Sequence, residues 1–138
     1  MEDIRADQNT NIGIRIDGYR SLIRNNLVVA TGGTTVFGPN PDAIGIFAFF
    51  GAGARMLNND VIDTTKLGTG TAVAIQFADL FGGLAVNNRI TGSDKGIEYA
   101  NATGKYRDNI TVDVTTPYTG GRISATTTEG VGGVERSN

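Results

Sequence analysis

Neither cysteine nor histidine occurs among the 138 residues. The first absence removes disulfide frameworks, thiolate metal sites and cysteine nucleophiles together, and leaves the redox compartment undetermined. The second removes the commonest general base and the commonest metal ligand, so any catalysis would rest on carboxylates, Lys, Arg, Tyr or hydroxyls. No apolar run approaches the roughly 20 residues that cross a bilayer. The opening Met1-Glu2-Asp3-Ile4-Arg5 has neither the basic region nor the apolar stretch of a secretory signal. A soluble chain with no membrane partner is expected. Net charge is −2 with a pI near 5.0, and Lys and Arg fall singly, so no electrostatic footprint for nucleic acid is visible. No cofactor is indicated.

What is present leans toward β-structure. Glycine occurs 20 times, Thr, Val, Ile and Asn are frequent, and no segment sustains a 3.6-residue apolar period over three turns. One unit recurs four times. Its front is a small residue followed by a short alternating strand: Gly13-Ile14-Arg15-Ile16-Asp17, Gly45-Ile46-Phe47-Ala48-Phe49, Ala74-Ile75-Gln76-Phe77-Ala78 and Gly96-Ile97-Glu98-Tyr99-Ala100. Its back ends on an Asn 13 or 14 residues later, in Arg24-Asn25-Asn26, Leu57-Asn58-Asn59, Val86-Asn87-Asn88 and the degenerate Arg107-Asp108-Asn109. The distance onward to the next front shrinks, from 17 residues after Val28 to 13 after Val61 and 6 after Ile90. Strands at constant spacing joined by loops of variable length are the sequence signature of a solenoid.

A strand of period two sends Ile14 and Ile16 inward and Arg15 and Asp17 outward, and the same phase in the next coil stacks Ile46 and Ala48 on them. Four coils at about 4.8 Å make a prism some 15–20 Å tall. Asn26, Asn59, Asn88 and Asn109 then form a column at one corner, where Asn tolerates a left-handed backbone and its amide bonds to the copies above and below. The expected fold is an all-β, right-handed parallel β-helix of about four coils, with an antiparallel β-sandwich as the alternative. Residues 1–138 read as a single domain, with the repeat core at 12–114 and a cap strand and flexible tail at 115–138. The inserts Val29–Ala43 and Ile62–Val73 leave at one corner, and Thr34-Thr35-Val36-Phe37 is a candidate third strand of the first coil.

The Gly-Ile-x-Ile fronts followed by Ile-x-x-Asn-x-Ile/Val resemble the right-handed parallel β-helix superfamily of pectate lyases, polygalacturonases, alginate epimerases and phage tailspikes. The resemblance covers about residues 12–114. It implies a fold and is nearly silent on function, since its enzymes usually have many more coils. It also implies that the working surface is the outer face of the first sheet. Two outward columns follow there: Arg15, Phe47, Gln76 and Glu98, and beside them Asp17, Phe49, Ala78 and Ala100.

Two outward phenylalanines next to Phe50 admit three readings: a sugar-stacking platform flanked by Arg15, Gln76 and Glu98, an oligomer interface, or a register off by one that makes them core. Hydrolases of this superfamily need acids clustered on adjacent rungs, and none assembles here. Its lyases use acids to hold calcium and an Arg or Lys as base, for which Asp60 and Asp63 with Arg55 and Arg89 are the weak candidates. A solvated charged face is the preferred explanation of these residues. The expected function is a non-enzymatic structural or binding module, a homo-oligomer (dimer or trimer) with a polysaccharide as its candidate ligand. The alternatives are a polysaccharide lyase, hydrolase or epimerase, and a segment of a phage or surface fibre.

Overall fold

A computed structural model describes residues 1–34, 36 and 42–123. Among them there is no helix, and none therefore long and apolar enough to cross a membrane. The strands are β1 (Arg5–Asp7), β2 (Ile12–Asp17), β3 (Leu22–Arg24), β4 (Leu27–Val29), β5 (Ala43–Ala52), β6 (Arg55–Leu57), β7 (Asp60–Ile62), β8 (Ala72–Phe81), β9 (Gly83–Val86), β10 (Arg89–Ala100), β11 (Gly104–Arg107), β12 (Ile110–Thr119) and β13 (Arg122–Ile123).

All strand pairings are parallel, which excludes the antiparallel sandwich. The chain is an all-β parallel solenoid of three strands per coil. The first sheet stacks β2, β5, β8 and the second half of β10; the second stacks β3, β6, β9, β11 and β13; the third stacks β1, β4, β7 and the first half of β10. The first and third sheets are continuous because β10 and β12 run through the corner between them, where the connection is shortest. Stacking continues beyond the repeat core at both ends, with β1 under β4 and the end of β12 against the front of β10.

The period-two reading gives the register of the first sheet. Ile14, Ile46, Ile75 and Ile97 are paired in succession and buried, as are Ala48, Phe77 and Tyr99 in the next inward column. Phe77 and Tyr99 stack with ring centres 4.8 Å apart, a coplanar arrangement that parallel in-register strands impose on successive aromatics. The small residue that opens each front answers to close packing. A Cβ on Gly45 would lie 2.5 Å from Val61 Cγ1 and 2.6 Å from the Ala74 carbonyl oxygen, so the first sheet meets the third here with no room for a side chain.

Each coil bends at three left-handed columns. One is Asp3, Asn25, Asn58, Asn87 and Asp108; a second is Gln8, Ala30, Asp63, Gly92 and Asp113; the third is Gly18, Phe50, Asp79, Asn101 and Gly120. This corrects the assignment of the left-handed corner to the ladder asparagines themselves. The residue before each of them turns the backbone, which frees the following side chain to point inward and bond along the stack. Asn59 Oδ1 accepts from the backbone N–H (3.1 Å) and the Nδ2 (2.9 Å) of Asn26, while Asn59 Nδ2 donates to Asn88 Oδ1 (3.0 Å) and to the Ile23 carbonyl (3.1 Å). Asn88 repeats the pattern with Asn109 Oδ1 and the Met56 carbonyl. Every polar atom of these buried amides is thereby satisfied, the condition for burying them cheaply.

The third strand of the first coil is β4, directly after the ladder Asn. Thr34 and Val36 are not in a strand, and Thr35 and Phe37 lie outside the described residues. Both inserts leave after the third strand, and Thr65 N–H donates to the Thr31 carbonyl across them.

Candidate functional site

Three sheets present three outer faces, and the first was the expected working surface. Its columns are paired as the period requires: Arg15, Phe47, Gln76 and Glu98 are successive partners, as are Asp17, Phe49, Ala78 and Ala100. Phe47 and Phe49 are therefore outside the core, and the shifted-register reading falls. Their rings are half-buried, 5.5 Å apart, with the Arg15 guanidinium 5.5 and 5.1 Å from their centres. Arg15 also bonds Asp17 through Nε (3.0 Å) and Nη2 (3.2 Å). Two coils along, Gln76 Nε2 donates to Glu98 Oε2 at 2.7 Å, and Lys95 Nζ bonds the other carboxylate oxygen. Gln76 and Glu98 are each only 8% exposed. The polar groups of this face bind one another, with an aromatic pair between the two clusters.

The acids proposed for a cation are separated. Asp60 faces outward from the third sheet in a two-point pair with Arg89; Asp63 sits at the left-handed corner after β7; Arg55 belongs to the second sheet. Among the described residues no group of three or more acids gathers to hold a metal ion.

A different constellation lies at the corner between the first and second sheets. The left-handed column there passes from Phe50 to Asp79 to Asn101 in adjacent coils, and Asn101 Nδ2 donates to Asp79 Oδ1. Asp and Asn adopt this backbone readily because their short polar side chains can bond locally. Phe does not, yet Phe50 stands there at φ 53° with its ring 60% exposed. Phe81, two residues past Asp79, is 71% exposed. Together with Tyr99, Ala102 and Thr103 these residues line a cleft of about 610 Å³. Burial drives the Tyr99 phenol well above its ordinary pKa, with the neighbouring Tyr106 adding to the effect, and its O–H donates to the Lys105 carbonyl at 2.7 Å. The phenol is a fixed neutral donor and does not titrate near neutrality.

The sequence reading placed Phe50 beside the site and missed Phe81, Asp79 and Asn101. A signal existed: the next residue after each five-residue front is Gly18, Phe50, Asp79 or Asn101, one aromatic among three residue types suited to a left-handed turn. Compared with known protein families, curated proteins and solved structures, the chain matches none.

Proposed function

We propose that this protein is a non-enzymatic recognition module that binds a carbohydrate at the first corner of a parallel β-helix of the superfamily it resembles. Phe50 carries the proposal. An aromatic residue in the left-handed region costs roughly 1–2 kcal/mol over a relaxed backbone, and its exposed ring returns little of that in burial. Strain of this kind at a concave surface supports a ligand contact. Phe50 and Phe81 offer apolar ring faces to the C–H side of a pyranose, and between them the Asp79 carboxylate and Asn101 amide supply acceptors and donors for hydroxyls. Asp79 favours a neutral sugar at this position, since a carboxylate accepts hydrogen bonds and repels anions.

Self-association belongs to the same proposal. Among the described residues β12 is paired on one side only, and Ile110 and Val112 on it are exposed, so its edge and outer surface are open to a second copy.

The test is a glycan array probed with the wild type and with Phe50→Asn/Phe81→Ala, alongside light scattering. Retention of neutral oligosaccharides by the wild type and its loss in the folded variant is the expected result. Equal binding by both would remove the cleft from the function. Release of new reducing ends from a bound glycan would make the protein an enzyme instead.

A further inference from the structure

Seven of the eleven Lys and Arg residues in the described part of the chain are ion-paired. The other four, Arg20, Arg55, Lys105 and Arg122, all line one groove of about 1070 Å³ on the outer face of the second sheet, and no Asp or Glu lines it with them. Surface cations left to chance distribute themselves among acids. Here all the unpaired ones converge.

The groove has a structural origin. Leu22, Arg55, Leu84, Lys105 and Arg122 are successive outward partners in adjacent strands, so the side chains stand in one file along the stack. At its rim, glycines replace side chains because aromatic rings fill the interior behind them: a Cβ on Gly104 would lie 2.1 Å from Tyr99 Cε1. Leu22 and Leu84 give the groove apolar contacts between its charges.

We propose that this groove binds a linear anionic glycan running along the solenoid axis, with carboxylate or sulfate groups about 5–10 Å apart, as the rise of roughly 4.8 Å per coil dictates. Arg55, Lys105 and Arg122 span three coil steps, so the file carries one cation per roughly 5–7 Å. Duplex nucleic acid is a poor match in spacing, because it presents one phosphate per roughly 3.4 Å of each strand, and a single strand finds no aromatic ring in the groove lining for base stacking. A glycan rather than an acidic peptide rests on the function proposed above: Ala102 and Thr103 line both the groove and the aromatic cleft, so the two are contiguous.

The experiment measures binding of heparin, polygalacturonate and single-stranded DNA of equal charge by titration calorimetry at 20–300 mM salt. The proteins are the wild type, Arg55→Gln/Lys105→Gln/Arg122→Gln and Phe50→Asn/Phe81→Ala. The expected result is wild-type binding to at least one anionic glycan that falls steeply with salt, weakened at least tenfold, with a flatter salt slope, in the glutamine variant. Heparin and polygalacturonate separate sulfate from carboxylate recognition. Loss in the glutamine variant with retention in the phenylalanine variant upholds the groove even where the cleft fails. Equal binding by the glutamine variant, tighter binding of DNA than of either glycan, or no binding of any polyanion at 20 mM salt would overturn it.

Discussion

The first and second sheets are built from the same repeat and expose comparable columns of polar side chains, yet they spend them differently. On the first sheet Arg15 is taken by Asp17 and two rings, and Glu98 by Gln76 and Lys95. On the second, Arg55, Lys105 and Arg122 have no ion-pair partner among the described residues. The same contrast divides each Asn pair: Asn59 has every hydrogen bond made inside the stack, whereas Asn58, exposed, exchanges single bonds with Asn25 (3.4 Å) and Asn87 (2.9 Å). A polar residue with complete internal bonding belongs to the fold, and one left open at a concave surface is available to a ligand. Stability measurements separate the two classes without knowledge of the ligand.

The largest effect belongs to the ladder. Asn59→Leu strands the backbone N–H and Nδ2 of Asn26 in a dry corner and leaves Asn88 Oδ1 with one of its two donors, the residue-59 backbone N–H. At about 1–3 kcal/mol for each buried unsatisfied group, the loss should reach some 4 kcal/mol, much of a domain's total. Urea unfolding checks this, and a loss below 1 kcal/mol would dissolve the distinction. On the first sheet Glu98→Ala leaves Gln76 and Lys95 without their partner in a mostly buried setting, and should cost about 2 kcal/mol in the same assay. Phe50→Asn inverts the sign: replacing an aromatic by a residue suited to φ 53° should raise stability by about 1 kcal/mol. A destabilised Phe50→Asn would show that the ring is needed for packing.

How much of this was legible follows from which relations are periodic. The inward and outward columns of the first sheet and the Asn ladder could be read because each recurs at fixed distance within a unit. The second-sheet file was equally periodic: Leu22, Arg55, Leu84 and Lys105 each stand four residues before a ladder Asn. What could not be read was pairing. Arg24 finds Glu2, which precedes the repeat, and Lys66 finds Asp94 from an insert, positions that spacing does not encode, whereas Asp60 and Arg89 each directly follow a ladder Asn and are register partners. The corner of Ala30, Asp63, Gly92 and Asp113 was invisible for another reason. Its column mixes Asp63, Gly92 and Asp113, which suit a left-handed turn, with Ala30, which does not, and neighbouring coils impose the turn at Ala30 whatever its local propensity.

Acid separates the inserts from the faces. Asp94 accepts from the Ala72 N–H at 3.0 Å and pairs with Lys66 at 3.1 Å, tying the second insert to the next coil, and these contacts hold its pKa below the ordinary 3.8. A carboxylate with a depressed folded pKa contributes stability that is complete above its unfolded value and is lost as pH falls through the folded one. The contribution should therefore persist at pH 5 and disappear below about pH 4. Asp94→Asn should flatten that part of the pH–stability curve. An unchanged curve would mean that another group sets the acid limit.

The smallest effect is the most discriminating. Arg55→Gln/Lys105→Gln/Arg122→Gln removes three exposed charges that have no ion-pair partner among the described residues, so unfolding free energy should change by less than about 0.5 kcal/mol. Any change should be a gain, because like charges some 5–10 Å apart repel by about 0.4–0.8 kcal/mol per pair in unscreened water. Salt tests that sign independently. At 0.15 M the screening length is about 8 Å, close to the spacing of the file, so the repulsion is largely screened there. The wild type should accordingly gain more stability than the variant between 20 and 300 mM salt. A variant that instead loses 2 kcal/mol would show that these cations are held by partners within the protein, and the second face would then be no more available to a ligand than the first.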